Sequence, residues 1–507
     1  MNFEKQFAIL KYKLELPEFT SDALSNGWIL NYHKHLPVRK SVDGRFILLG
    51  IAWQFLPERK TPMEEIEQLC RRFPGEIPQK EILDMEETWC GRYVLFCQGS
   101  IFTDTCALFP VYYASVGVSS DCTLLANQMG LPRNNYQMPP KRVMNWMPGP
   151  RSQYETVFHL LPSQIYHYET GKLEARELLA SGYTPIADQD ERLERIIACF
   201  DASLRNLQAE LPNTKLLVAI TGGHDSRTLL ALAKHAGVDF DAYTLLYDLI
   251  YEGDVTVPKE LCKAAKIPHH EIARDKSLYT KEREEAYLDH ISGAVYDEDR
   301  VYYACRQFEP LVQEFGEVAV LRSGVWPNVM EWYRRSFTPT GPGFDCYDWF
   351  GATKGSLEEQ SLQEYFAWND KHQQKGLSAC NVFYWEQRNG CWLSAIETGF
   401  DLMEHVTSLQ PANCRYLMSM LMEFPEEERI MNYHQFRIVQ KACPVMAEIP
   451  FGGKKRQNES SGRVLYDKLL RGIHRLRTLG LRKTWKTYQS MIQNSQQEKQ
   501  IHKKLGQ

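Results

Sequence analysis

Leu216-Leu217-Val218-Ala219-Ile220-Thr221-Gly222-Gly223-His224-Asp225-Ser226-Arg227 is the stretch that decides the fold class of this chain. Its five leading apolar residues do not alternate with polar ones, which suits a central parallel strand covered on both faces. Gly222 and Gly223 remove side chains where the backbone must turn and approach a neighbour or ligand closely. Ser226 falls at the cap or first turn of a helix. That helix continues through Leu229, Leu230, Leu232 and Ala233 and is ended by Gly237. A glycine turn feeding a helix N-terminus offers free N–H groups and the positive end of a dipole, an anion-binding arrangement. Asp225 in the same turn is placed to hold a magnesium ion against a phosphate. The alternative is a plain strand–turn–helix junction that binds nothing.

The residues that follow continue the same architecture. Phe240 to Leu246 reads as a second strand, Asp254 to Lys266 as a helix, and Ile267 to Ile272 as a third strand. Strands and helices alternating at this spacing predict a doubly wound parallel sheet with right-handed crossovers. Ligands in such sheets bind beyond the strand C-terminal ends, where Thr221 to Ser226 falls. His269 and His270 are adjacent on a strand and so point to opposite faces, which favours structural roles over a shared metal. The hexapeptide Thr221-Gly222-Gly223-His224-Asp225-Ser226 resembles the pyrophosphate loop of ATP pyrophosphatases, Ser/Thr-Gly-Gly-x-Asp-Ser. It lacks the lysine of a Walker loop.

At 507 residues the chain is long enough for two or more domains. Its 43% hydrophobic and 12% aromatic content marks an ordered globular protein, and its net charge of −5 argues against a general nucleic-acid role. Thirteen cysteines without a Cys-x-x-Cys form neither a zinc pattern nor a disulfide framework. With no membrane-length apolar run and no signal-peptide core, a cytoplasmic location is expected. Residues 1–190 carry short apolar runs (Phe46 to Ala52, Tyr93 to Cys97, Pro110 to Val118) broken by Gly, Pro, Asn and Asp, a β-rich signature. A helical run from Leu193 to Leu207 then leads into the glycine-turn strand, which places a boundary near residue 190.

The order and content of these halves resemble the asparagine synthetase family, which includes β-lactam synthetases and lasso-peptide cyclases. Gly91 to Leu95, Asp104 and Pro110-Val111-Tyr112-Tyr113 resemble the family's run ending in Pro-Leu-Tyr-Tyr, and Phe158 to Ser163 its following hairpin. Arg437, Pro444, Ile449-Pro450 and Lys454-Lys455 resemble its basic segment closing on the nucleotide. The resemblance implies an α/β protein in three parts. Residues 1–190 would form a nucleophile-hydrolase-like αββα domain, residues 191–457 an ATP-pyrophosphatase-type domain with a helical C-terminal part, and residues 458–507 a basic helical tail.

The resemblance also implies a site. Ile220, Thr221, Gly222, Gly223, Asp225, Ser226, Thr244, Ser323 and Gly324 would bind ATP, with Asp225 as the magnesium ligand (Mg2+). Arg437, Lys454 and Lys455 would neutralise the departing pyrophosphate. The reaction implied is attack of a carboxylate on the α-phosphorus, followed by aminolysis of the acyl-adenylate. Small-molecule or peptide carboxylates and amines would be the substrates. For Arg437 the alternative is a surface helix arginine, and for Lys454-Lys455-Arg456 a solvated basic loop.

Two departures qualify this implication. The family's glutaminase nucleophile is a cysteine after the initiator methionine, whereas Asn2 stands here and cannot form a thioester, so the first domain is expected to be a scaffold. Leu321 to Asn328 occupies the place of a Gly-x-Gly-x-Asp-Glu turn but brings no carboxylate before Glu331. A catalytically inactive relative serving as a binding module therefore stays open beside an active ligase. Between Arg463 and Lys486, basic residues interleave with Leu465, Leu469, Ile473, Leu476 and Trp485. That spacing suits a helix docked on the protein, or one facing an anionic surface or acidic partner.

Overall fold

The structure is a computed structural model that describes residues 3–131, 144–154, 156–246, 252–273, 308–332, 346–403 and 405–452. It is an α/β protein with three sheets, the last of them parallel. Lys454, Lys455 and the tail from residue 458 lie outside the described residues. Among the described residues no helix is long and apolar enough to cross a membrane, and no disulfide forms.

The first half holds β1 (Phe7–Leu10), β2 (Phe19–Ala23), β3 (Ile29–His33), β4 (Val38–Lys40), β5 (Phe46–Gln54) and β6 (Trp89–Cys97). It continues with β7 (Ser100–Thr103), β8 (Tyr112–Ala114), β9 (Gly117–Ser119), β10 (Phe158–His159), β11 (Gln164–His167) and β12 (Lys172–Ala175). They make two six-stranded antiparallel sheets, ordered β10-β8-β9-β1-β3-β2 and β12-β11-β7-β6-β5-β4. The apolar run Pro110 to Val118 holds a hairpin, β8 and β9. Alternation along β5 explains the layering. Ile47 and Leu49 face inward with Phe7, Ile9, Leu30, Val94 and Phe96 between the sheets. Phe46, Leu48 and Ala52 face outward against helices α1 (Pro62–Arg72) and α2 (Gln79–Glu86). On the far side of the other sheet, Ala8, Leu10 and Tyr112 pack under α3 (Cys122–Gln128). Helix α1 starts with Pro62 in its first position, inside a capping box formed between Thr61 and Glu64.

Helix α4 (Gln189–Glu210), capped by Asp188 on the Glu191 N–H, leads into the parallel sheet. That sheet contains β13 (Thr214–Ala219), β14 (Phe240–Leu246), β15 (His269–Ala273), β16 (Glu317–Leu321) and β17 (Val406–Leu409), ordered β15-β14-β13-β16-β17. Helices α5 (His224–Ala236) and α6 (Gly253–Ala265) join α4 on the face carrying Leu216, Val218 and Ala242. The opposite face, with Leu217, Tyr243, Val318 and Val320, is covered by α7 (Glu309–Phe315) and by Ile396 and Phe400. These two residues belong to α9 (Ser394–Phe400), reached from α8 (Ala379–Phe383) through a π-helical stretch Tyr384–Leu393. Both faces of β13 are covered, which is why its apolar run does not alternate. Helix α5 ends at Gly237 in the left-handed conformation, φ +71°.

The two halves share buried contacts. Arg92 of β6 makes a two-pronged ion pair with Asp401 at 2.6 Å on each prong. Trp53 Nε1 donates to Ser203 of α4, and Asn413 Nδ2 donates to Asp104 and to the Gly91 carbonyl.

Candidate functional site

The strand order reverses at β13, because β14 lies on one side of it and β16, which comes later in the chain than β15, on the other. Val218 pairs with Leu321 in register, so the turns after β13 and β16 leave the sheet side by side. Thr221 to Ser226 and Arg322 to Gly324, about a hundred residues apart, therefore meet at the crevice where doubly wound sheets bind ligands. Thr244 borders this place: its hydroxyl donates to the Ile220 carbonyl at 3.0 Å and contacts His269 Nε2 at 2.9 Å. His270 turns the other way, to Asp241 at 2.7 Å, so the adjacent histidines have separate structural partners.

The turn is held largely by its own groups. The Thr221 N–H donates to Ser226 Oγ at 3.1 Å, the Gly223 N–H to Thr221 Oγ1 at 3.3 Å, and the Gly222 N–H to Asp254 at 2.8 Å. Gly222 and Gly223 were expected to turn their N–H groups to a phosphate, but both groups have protein acceptors here. Gly223 caps α5 without a side-chain hydrogen bond, so what this turn presents to an anion is the positive end of the α5 dipole.

Gly222 is needed for packing. A Cβ there would sit 2.7 Å from the Gly253 carbonyl oxygen and 3.2 Å from Asp254 Oδ1. Gly452 meets the same helix start, where a Cβ would lie 2.9 Å from Gly253, and its N–H donates to the Gly222 carbonyl at 3.3 Å. Gly222→Ala should therefore push α6 off the turn and lower stability by about 1–3 kcal/mol, the usual range for overpacking. Urea unfolding measures this; an unchanged midpoint would refute the close-packing argument.

Asp225 carries the titratable chemistry. It is partly accessible but enclosed by protein, and desolvation pushes its carboxyl up to about 6 while the Gln435 amide, 2.9 Å from Oδ1, opposes the rise. The Tyr384 phenol is pushed up to about 12, chiefly by burial, with the Asp225 charge adding to the rise. Arg227 anchors the strap that closes the other side. Its guanidinium donates to the carbonyls of Met446, Ile449 and Pro450 and lies 4.0 Å from the Phe451 ring, which also stacks on His224. The described chain ends its approach at Gly452, beside the turn and just ahead of Lys454 and Lys455.

Arg437 is not brought to this crevice. It pairs with Gln189 at 2.6 Å and Asp190 at 3.0 Å at the start of α4, and with Glu428 at 3.6 Å. On helix α10 (Tyr433–Ala442), residues two apart are separated by about 200°, so Gln435 faces the turn and Arg437 faces away. Gln435 had no signal of its own; only its place on an amphipathic helix beside Arg437 could have suggested it.

The second turn departs further from the expectation. Gly324 donates its N–H to Gln410 at 2.8 Å, and Arg322 pairs at 2.8 Å with Glu397, which also accepts from Gln410 at 2.8 Å. A carboxylate thus does reach the turn, from α9, but it is neutralised by Arg322. Glu331 is turned into the protein toward Ser378 and Asn381. Ser323 remains half-buried beside this network.

No family model matches the chain, and no curated protein matches it. Among solved structures it is similar to the NMN synthetase from Francisella tularensis, with 19% identity over 40% of this chain and 94% of that one. The TM-score of that match is 0.22.

Proposed function

We propose that this chain is an asparagine-synthetase-like, ATP-dependent ligase that adenylates a carboxylate and passes the acyl group to an amine, releasing pyrophosphate and AMP. The observation that carries this reading is the glycine turn Thr221 to Ser226, seated at the sheet's switch point with Asp225 beside an uncapped helix N-terminus. Phosphate oxygens would lie at the N-terminal end of α5, beside the Ser226 hydroxyl, which accepts from the Thr221 N–H at 3.1 Å and shares a hydrogen bond with Thr221 Oγ1 at 3.0 Å. Asp225 would hold magnesium together with phosphate oxygens, since Glu397 is already paired with Arg322. When bound, that ion supplies charge neutralisation for the leaving pyrophosphate.

The chain's own residues do the rest by position. Arg227 fixes the strap over the turn, Gln435 orients Asp225, and Thr244 ties β14 to the end of β13. Lys454 and Lys455 follow that strap in sequence and are the cations proposed to meet the pyrophosphate; Arg437 is withdrawn from that role because it is committed to α4. Residues 1–190 are proposed as a scaffold domain, residues 191–457 as the synthetase domain, and the tail from 458 as a segment for an anionic surface or acidic partner. A reducing cytoplasm suits the many buried cysteines.

The second reading, an inactive binding module, is favoured by the neutralised carboxylate at Gly324. Pyrophosphate release separates the two. With ATP, magnesium and a panel of carboxylates and amines, wild-type protein should release pyrophosphate and AMP in equal amounts. ATP binding without turnover across the panel would favour the second reading.

A further inference from the structure

His33-Lys34-His35 lies at the end of β3, where the chain turns after His33 and leaves the two imidazole rings 5.1 Å apart. Two other segments bring carboxylates to them. Glu4 Oε1 is 2.5 Å from His35 Nδ1, and Glu4 Oε2 is 3.3 Å from His33 Nε2. Glu18 Oε2 is 3.4 Å from His33 Nε2, while its other oxygen pairs with Lys34 at 2.5 Å. One donor atom each from Glu4, His33 and His35 lies within 4.8 Å of the others. His33 is fully buried, and its Nε2 has hydrogen-bond geometry to neither carboxylate although both are close.

We propose that Glu4, His33 and His35, with Glu18 as a fourth donor, bind a divalent cation of the zinc class. Two imidazole nitrogens with carboxylate oxygens suit zinc, cobalt or nickel and not the all-oxygen preference of magnesium or calcium. A buried nitrogen facing two unaligned carboxylates satisfies its lone pair on a cation better than it places an N–H between them. Binding keeps the His33 proton on Nδ1, so the long 3.3 Å contact from the His35 peptide N–H to Nδ1 is given up.

The location gives the site a role independent of the ATP crevice. His35 lines a cavity of about 70 Å³ between the two halves, with Lys5, Arg92 and Asp401. Next to Glu4, the Lys5 ammonium donates to the Met403 and Val406 carbonyls at 3.0 and 2.9 Å. A cation on Glu4 would therefore pin the segment that clips the first half onto strand β17.

The test uses untagged, full-length protein stripped with a chelator, dialysed, and titrated with zinc alone against a chromophoric chelator. One equivalent is expected to bind, cobalt alone should give the visible absorption of a low-symmetry four-coordinate ion, and zinc should raise the Tm of the stripped protein. His35→Gln should weaken zinc binding by at least about a hundredfold, because changes even in the groups supporting a metal ligand cost 10–100-fold. Circular dichroism confirms that the variant folds. If it does not, Glu18→Gln, at a half-exposed position, should instead alter the cobalt spectrum of a folded protein. Substoichiometric zinc, or one equivalent held undiminished by folded His35→Gln, overturns the proposal, as does an unaltered cobalt spectrum in Glu18→Gln.

Discussion

Asp225→Asn is expected to give a protein that is more stable at neutral pH and has lost magnesium-dependent ATP turnover. The Asp225 carboxyl is pushed up to about 6 from an ordinary 3.8, chiefly because it is desolvated. A raised carboxyl pKa means the charge destabilises the fold. The penalty is fully present above about pH 6, shrinks as the pH falls, and vanishes below the unfolded value near 4. Two pH units amount to roughly 3 kcal/mol, and the partial accessibility of Asp225 reduces this to about 1–2 kcal/mol.

Asparagine keeps the shape and the Gln435 contact while removing the charge, so urea unfolding at pH 7 should show that gain and at pH 4 should not. The same charge is the proposed metal contact. Its loss should slow pyrophosphate release at least about a hundredfold, or ~2.7 kcal/mol. Wild-type affinity for magnesium–ATP should likewise weaken as the pH falls through about 6. A variant no more stable at pH 7, or one retaining metal-dependent ATP affinity, would overturn the view that the fold tolerates a desolvated carboxylate for the sake of the site.

The largest loss of stability is expected from Asp401→Ala. Arg92 is 8% exposed and Asp401 4%, and their ion pair is supported by Gln6, whose amide donates to Asp401 at 3.2 Å. Removing the carboxylate leaves a guanidinium buried and uncompensated, which typically destabilises by about 3–5 kcal/mol. The double variant Arg92→Met with Asp401→Leu should recover much of this, because no buried charge remains. Because the pair spans the two halves, denaturation followed separately by near-UV and far-UV signals should shift together in the single variant. A loss below about 1 kcal/mol would mean that water reaches the pair and that the halves are less tightly joined than their contacts indicate.

The local pattern of Leu216 to Gly237 was sufficient to place a buried strand, a glycine turn and a helix, because each rests on interactions within a few residues. An apolar run must be covered on both faces, and a left-handed C-cap calls for glycine. Phe240 to Leu246 was legible for the same reason. The run Pro110 to Val118 was legible as β-rich, but its strand partners, β9 beside β1 and β8 beside β10, were set by residues distant in the chain.

The site divides along the same line. The sequence alone determined that a glycine turn with Asp225 ends a strand of a parallel sheet. Only the tertiary structure decided that Gly222 is small because Gly253 and Gly452 crowd it, and that Gln435 faces Asp225 while Arg437 faces α4. It likewise supplied Glu397 to the turn at Gly324, already neutralised by Arg322. Each of these contacts joins residues far apart in the chain, and local preferences carry no information about which distant side chain will occupy the space beside a turn.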